Sequence, residues 1–173
     1  FKLKRILNKF KNRYDYIVLD SSPNYEELKP VIAAADKIFL VTSPDNVTLT
    51  TTLKAARIAK ESDTPIEGII VNKIRSPKHE YNMNEIEVVS EIPVMAKIRD
   101  HKKMAEAIHK KTPISILDKT NNISKEIENF ASAICGSPEK KSIIQRLLPL
   151  KDIFQKEKIN REILREKYYE SQL

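Results

Sequence analysis

Glycine is nearly missing from this sequence: Gly68 and Gly136 are the only two in 173 residues. A loop that cradles phosphates with its backbone N–H groups needs several glycines close together, so the sequence contains no such loop. Cysteine is scarcer still. The single Cys135 excludes an intrachain disulfide framework, a CxxC metal site and a cysteine-ligated iron–sulfur cluster. No apolar run reaches the roughly 18 residues that cross a bilayer as a helix. No secretory leader is recognisable either, so the chain reads as cytoplasmic. The three histidines, His79, His101 and His109, have no metal-ligand spacing and read as surface residues. Position 1 is Phe1 rather than Met, and the expectation is a true N-terminus further upstream.

What is present describes a charged globular protein. Hydrophobic residues make up 40% and charged residues 32%, enough at this length for one domain with a core and an appendage. The net charge of +7 suits anionic partners such as phosphate ligands, nucleic acid or an acidic membrane, or else a simply solvated basic surface.

The hydrophobic pattern alternates between two periods. Residues 2–13, "KLKRILNKFKNR", place Leu3, Ile6, Leu7 and Phe10 at helical spacing between basic residues. "YIVLD" (16–20) is a short continuous apolar run, the pattern of a strand buried on both faces. "SSPN" stops it, and "YEELKPVIAAA" reads as a helix with a possible break at Pro30. "KIFLVT", "IEGIIVNKI" and "PVMAKI" are three more buried strands. Helices "LTTTLKAARIAKES", "EYNMNEIEVVSEI", "HKKMAEAIHKK" and "NNISKEIENFASAICG" fill the intervals and the end, the last with Asn122 as N-cap and Cys135 on its apolar side. Strand and helix thus alternate from 14 to 136, which predicts an α/β fold with a mostly parallel sheet flanked by helices. The boundary falls at "GSPEKK": residues 1–136 form the α/β domain and 137–173 a charged helical extension.

In such sheets ligands sit outside the carboxyl ends of the strands. Asp20 ends the first run, Thr42 to Asp45 follow the second, Asn72 and Lys73 end the third, and Arg99 to His101 follow the fourth. Asp20 stands out, because a carboxylate closing a buried strand is costly without a cation to meet it. Ser21 and Ser22 beside it have no base placed near them in sequence, which argues against serine catalysis.

"YDYIVLDSSPN" resembles the second-switch strand and turn of the MinD/ParA class of deviant-Walker P-loop ATPases. The resemblance continues in order through "AAADKIFLVTSPDNVTLTTTLKAARI", "GIIVNKI", "EIPVMAKI" and "AEAIHKKTPI", over roughly residues 5–135, and looks closest to the archaeal MinD-like branch. It implies an incomplete P-loop NTPase-like fold, and ATP and Mg²⁺ as cofactors. Asp20 would be the Walker-B-type carboxylate holding Mg²⁺ through water, consistent with the few direct carboxylates Mg²⁺ takes. Pro23 and Asn24 would form the γ-phosphate-sensing switch turn, Asn24 standing where the family has Gly. Asn72, with Lys73, Arg99 and Asp100, would line the adenine side. The family's "IPxD" is Ile98, Arg99, Asp100 and His101 here, without the proline. The deviant Walker A lysine loop and the first-switch aspartate are absent, so ATP hydrolysis would require a further N-terminal segment, and the chain alone would be inactive. Three explanations stay open: a fragment of a longer ATPase, one half of a split protein, or a degenerate interaction module.

The resemblance further implies homodimerisation and a switch used in positioning or partitioning. In the tail, "KKSIIQRLL" puts Ile143, Ile144, Leu147 and Leu148 on one face, ringed by Lys140, Lys141 and Arg146. This is similar to the C-terminal amphipathic helix through which MinD proteins bind anionic membranes. Packing on the domain or on a protein partner is the alternative. The rival reading for the whole chain is a DNA-partitioning ParA-like ATPase gripping phosphates with its basic charge.

Overall fold

The computed structural model describes residues 2–22, 24–75 and 78–135. Pro23 and the expected extension 137–173, with its seven candidate membrane or partner residues, lie outside them.

Three parallel strands form the sheet: β1 (Ile38–Thr42), β2 (Ile66–Ile74) and β3 (Val94–Arg99), in that spatial order. β2 is the central strand and the most apolar, with Ile69 and Val71 fully buried. Between them run α3 (Asn46–Glu61), from β1 to β2, and α4 (Met83–Ser90), from β2 to β3. Short parallel strands joined by helices give the layered α/β architecture expected from the alternation.

Adjacent strand residues face opposite sides, and the packing follows. Leu40, Ile69 and Val71 meet Leu49 and Ala56 of α3, Ile86 of α4 and Ile92 in the main core. Neighbouring Phe39 turns the other way and meets Phe130 edge-on, ring centroids 5.0 Å apart. Phe130 belongs to α7 (Asn122–Ile134), which also packs on β3. Beneath α7, Ala107 of α5 (Lys102–His109), Ile114 of the short α6 (Ile114–Leu117) and Ile123 form a smaller cluster.

Capping residues set the helix starts. Asn82 and Glu85 form a reciprocal capping box on α4 at 3.0 and 2.8 Å, a pattern that satisfies two otherwise orphaned donors. On α7 the cap is Asn121, which accepts from the Ile123 amide at 3.0 Å, one residue earlier than the Asn122 expected. Cys135 also differs from expectation. It is the C-cap of α7 and exposed, one position past the stripe Ile123, Ile127, Phe130 and Ile134, so it falls off the buried face.

The ladder shifts register at three places, one of them between Ile69 and Ile70 against β3. Between Ile38 and Phe39 the partners jump from Ile66 to Gly68, leaving Glu67 in a bulge. Its side chain is 2% exposed, with Oε1 3.1 Å from the Nζ of half-exposed Lys37 and no hydrogen bond at that oxygen. The third shift lies between Val71 and Ile74, at the carboxyl end.

The largest departure from the sequence reading concerns residues 16–20. They are not part of the sheet, and none of the backbone groups of residues 14–22 bonds another backbone group among the described residues. Tyr16 is 58% exposed and Val18 92%. The expected strand buried on both faces is therefore not found at these residues. Burial on both faces needs neighbouring strands, and the described chain supplies none beside this segment.

Before it comes α1 (Lys2–Asn8), and after it α2 (Tyr25–Ile32), capped by Asn24 and ending two residues past Pro30. α2 packs Leu28 and Ile32 against Ile58 and Ala59 of α3.

Candidate functional site

Because the strands are parallel, Thr42, Ile74 and Arg99 end on one side of the sheet, and Asp45, Asn72, Lys73, Asp100 and His101 follow or close those ends there. The rim is a connected structure. Thr42, the last residue of β1, and Pro44 after it are buried, and the carbonyl of Pro44 accepts from the Tyr81 amide at 3.0 Å. The Arg75 amide donates to both oxygens of Glu80, at 2.9 and 3.1 Å. The Arg75 Nε donates to the Asp100 carboxylate at 2.6 Å, and the Asp100 amide to the Ile74 carbonyl at 2.9 Å. These bonds tie the ends of all three strands together.

Asn72 and Lys73 occupy the bulge at the end of β2. Lys73 has φ of 57°, a left-handed conformation that costs a non-glycine residue on the order of 1 kcal/mol. The Asn72 Oδ1 accepts from the Lys73 amide at 2.8 Å, fixing the side chain at the rim. Bulges at strand ends re-aim side chains, and this one sets both residues at the carboxyl edge. Lys73 and Arg99 are exposed and without an ion pair among the described residues. Asp100 is engaged by Arg75, a pairing for which sequence spacing gave no signal, the two lying 25 residues apart.

Asp45 caps α3. It accepts from the Thr48 amide at 2.9 Å and the Thr48 hydroxyl at 2.8 Å, and these bonds hold its carboxyl below the usual aspartate range. A depressed native value stabilises the fold above the ordinary aspartate pKa, and that contribution disappears as pH falls through the depressed value. Asp45→Ala should therefore cost about 1 kcal/mol at pH 7. Asp45→Asn should retain most of the cap while flattening the acid side of the profile, as read from thermal melts between neutral pH and about pH 3.

Asp20 is exposed at the end of the irregular segment, and no hydrogen bond or ion pair engages its carboxylate among the described residues. The turn that follows is ordered locally: the Ser22 Oγ accepts from the Asn24 amide at 3.1 Å, and the Asn24 Oδ1 from the Glu26 amide at 3.2 Å. The structure brings Asn72, Lys73, Arg99 and Asp100 to one edge, and among the described residues no hydrogen bond or ion pair joins Asp20 or Asn24 to it. His101 caps α5 through Nδ1, accepting from the Lys103 amide at 3.1 Å. Among the described residues no three His, Cys, Asp or Glu side chains cluster to hold a metal, and no helix is long and apolar enough to cross a membrane.

The solved structures similar to this one include the cell division ATPase MinD of Pyrococcus furiosus, with a TM-score of 0.71 at 22% identity, over 78% of this chain and 57% of that one. The Pyrococcus horikoshii septum site-determining protein MinD, solved with Mg-ADP, matches with a TM-score of 0.71 at 20% identity, over 77% and 55%. A ParA family ATPase of Chlorobium tepidum matches with a TM-score of 0.61 at 24% identity, over 74% and 54%. The fold is that of the MinD and ParA ATPases. No family model matches the chain. Two uncharacterized ATP-binding proteins of Methanocaldococcus jannaschii are each 24% identical to it over 137 residues, 79% of this chain and 52% of theirs. The chain thus spans about half the length of the curated relatives it matches, and the MinD-type resemblance read from the motifs agrees with the architecture found.

Proposed function

We propose that this chain is one part of a Mg-ATP-dependent, dimerising switch ATPase of the MinD/ParA kind, acting in positioning or partitioning. The observation that carries the reading is the tied polar rim at the carboxyl ends of three parallel strands, preceded in the chain by a free carboxylate, Asp20, and a capped turn. In a MinD-type fold that edge is where a nucleotide fits.

The residues present fit one side of such a site. Asp20 offers a solvent-facing carboxylate suited to holding Mg²⁺ through water, where the ion would neutralise phosphate charge. Asn24 starts α2 through its side chain and, with Pro23, would form the switch turn. Asn72 and Lys73, set by the bulge, would line the adenine side, with Arg99 and the Arg75-held Asp100 beyond them. The phosphate cradle belongs to the portion of the fold that this chain does not span. The chain alone is then inactive, and its place is at the cytoplasmic face, peripheral to a membrane where the tail engages one.

The test is sedimentation of the complete ATPase containing this chain. Dimer is expected with Mg²⁺ and a non-hydrolysable ATP analogue, and monomer without nucleotide; one unchanged state under both conditions contradicts the reading. Co-sedimentation with anionic vesicles, with and without residues 139–173, tests the membrane role of Lys140, Lys141, Ile143, Ile144, Arg146, Leu147 and Leu148.

A DNA-partitioning role has one specific feature in its favour. Residues 2–13 carry six cations and no carboxylate, and Lys2, Lys4, Arg5, Lys9, Lys11 and Arg13 are all exposed. Steeply salt-dependent binding to nonspecific duplex would select that reading.

A further inference from the structure

A strand on the outside of a sheet presents unpaired amides and carbonyls, and other strands pair with them unless something intervenes. β3 is such a strand, with β2 on one side only among the described residues. Its outward amides are nevertheless taken. Glu87 accepts from the Val94 amide at 2.7 Å, and Glu126 accepts from the Lys97 amide at 3.2 Å.

Both amides face away from β2. The Pro93 carbonyl accepts from the Ile69 amide at 2.8 Å, and across a planar trans peptide the Val94 N–H points the opposite way. Lys97 lies three residues further on, a spacing that in a regular strand would turn its amide back toward β2. One extra residue prevents this. Val94 and Ala96 pair with the consecutive residues Ile69 and Ile70, so Met95 has no counterpart on β2. Such a bulge shifts the alternation by one and aims the Lys97 amide outward as well.

The two carboxylates arrive from opposite faces of the sheet. Glu87 is on α4, whose Ile86 packs with Leu40, Ile69 and Val71. Glu126 is on α7, whose Phe130 meets Phe39 on the other side. Both are half-buried. An ionised acceptor makes an amide hydrogen bond roughly twice as strong as a neutral one does. An incoming strand would have to displace both carboxylates and set its own carbonyl oxygens beside them.

We infer that Glu87 and Glu126 close the outer edge of β3 against strand addition, whether by a second copy of this chain or by an extended segment of another protein. The bulge at Met95 and the two packed helices set the pair in place. The closure makes β3 a terminal strand and confines association of this chain to other surfaces. It needs no nucleotide and holds whether or not the chain serves an ATPase.

The experiment compares the full native chain with Glu87→Ala/Glu126→Ala and Glu87→Gln/Glu126→Gln, by sedimentation over a concentration series and by amide hydrogen exchange. In the native chain the Val94 and Lys97 amides should exchange at least about 100-fold more slowly than an unprotected amide. In the alanine pair they should exchange at least about tenfold faster than in the native chain when dilute. That pair should then associate as its concentration rises, with the same two amides protected again in the associated species. The glutamine pair keeps an acceptor oxygen at each position and should stay at the native mass. The inference is overturned if either amide is unprotected in the native chain, a result that does not depend on any variant folding. It is also overturned if the folded alanine pair stays at the native mass throughout, or associates with Val94 and Lys97 left unprotected. Association of the glutamine pair to the same extent as the alanine pair overturns it too, because the hydrogen bonds would then not be what closes the edge.

Discussion

Gly68→Val is expected to destabilise the domain by about 3 kcal/mol or more, and Gly68→Ala by about 2 kcal/mol, measured by urea unfolding of the whole chain. Two causes act at once. Gly68 has φ of 156°, which L side chains rarely adopt. A Cβ there would overlap Cγ of Met95 and approach the Pro93 carbonyl oxygen to 3.0 Å. Met95 is 1% exposed and has no room to retreat. Gly68 is also the residue at which β2 resumes its register with Phe39 after the Glu67 bulge, so the strain would spread into both strand pairings. In a Met95→Ala background, itself less stable, Gly68→Ala should cost less than in the native chain, because the overlapping atom is gone; the remainder reports the backbone conformation.

Asp20→Ala is expected to leave the melt of this chain within about 0.5 kcal/mol of the native value, since the side chain is exposed and has no hydrogen bond or ion pair among the described residues. In the complete ATPase it should lower Mg²⁺-dependent ATP hydrolysis by about 10- to 100-fold, the usual cost of losing a group that acts on a metal through an intervening ligand. Raising the Mg²⁺ concentration should recover part of the loss, and Asp20→Asn should behave like Asp20→Ala because charge, not shape, is what a hydrated ion reads. A structural role would show the reverse pattern, with the melt shifted and the magnesium dependence unchanged.

The sequence revealed some layers of this molecule and concealed others for physical reasons. Strand β2 was legible to the residue, because "IEGIIVNKI" is buried in the centre of the sheet and both faces demand apolar side chains. Helices α3, α4, α5 and α7 were legible from their stripes, with boundaries off by a few residues where side-chain caps, not hydrophobicity, decide the start. The segment at 16–20 carries the same apolar signature as β2, yet among the described residues it pairs with no strand. Composition records what a segment can satisfy, and the packing around it decides whether it does.

The candidate site divides along the same line. That polar residues gather at the strand ends followed from parallel topology alone, and the motif resemblance singled out Asn72 and Asp100 among them. The clasp that orders this edge, Arg75 with Asp100 and Glu80, was invisible, because it joins residues through space with no periodic pattern. The bulge at Lys73 was hidden too: the usual sign of a left-handed residue is glycine, and here a lysine takes that conformation.

Titrating Mg-ATP calorimetrically into this chain alone, and then into the chain assembled with the rest of a MinD/ParA-type domain, addresses the central claim most directly. The account predicts no saturable heat from the chain alone and one site per assembled domain, weakened by Asp20→Ala. Saturable binding to the chain alone, or an assembled domain that takes up no nucleotide, would contradict it.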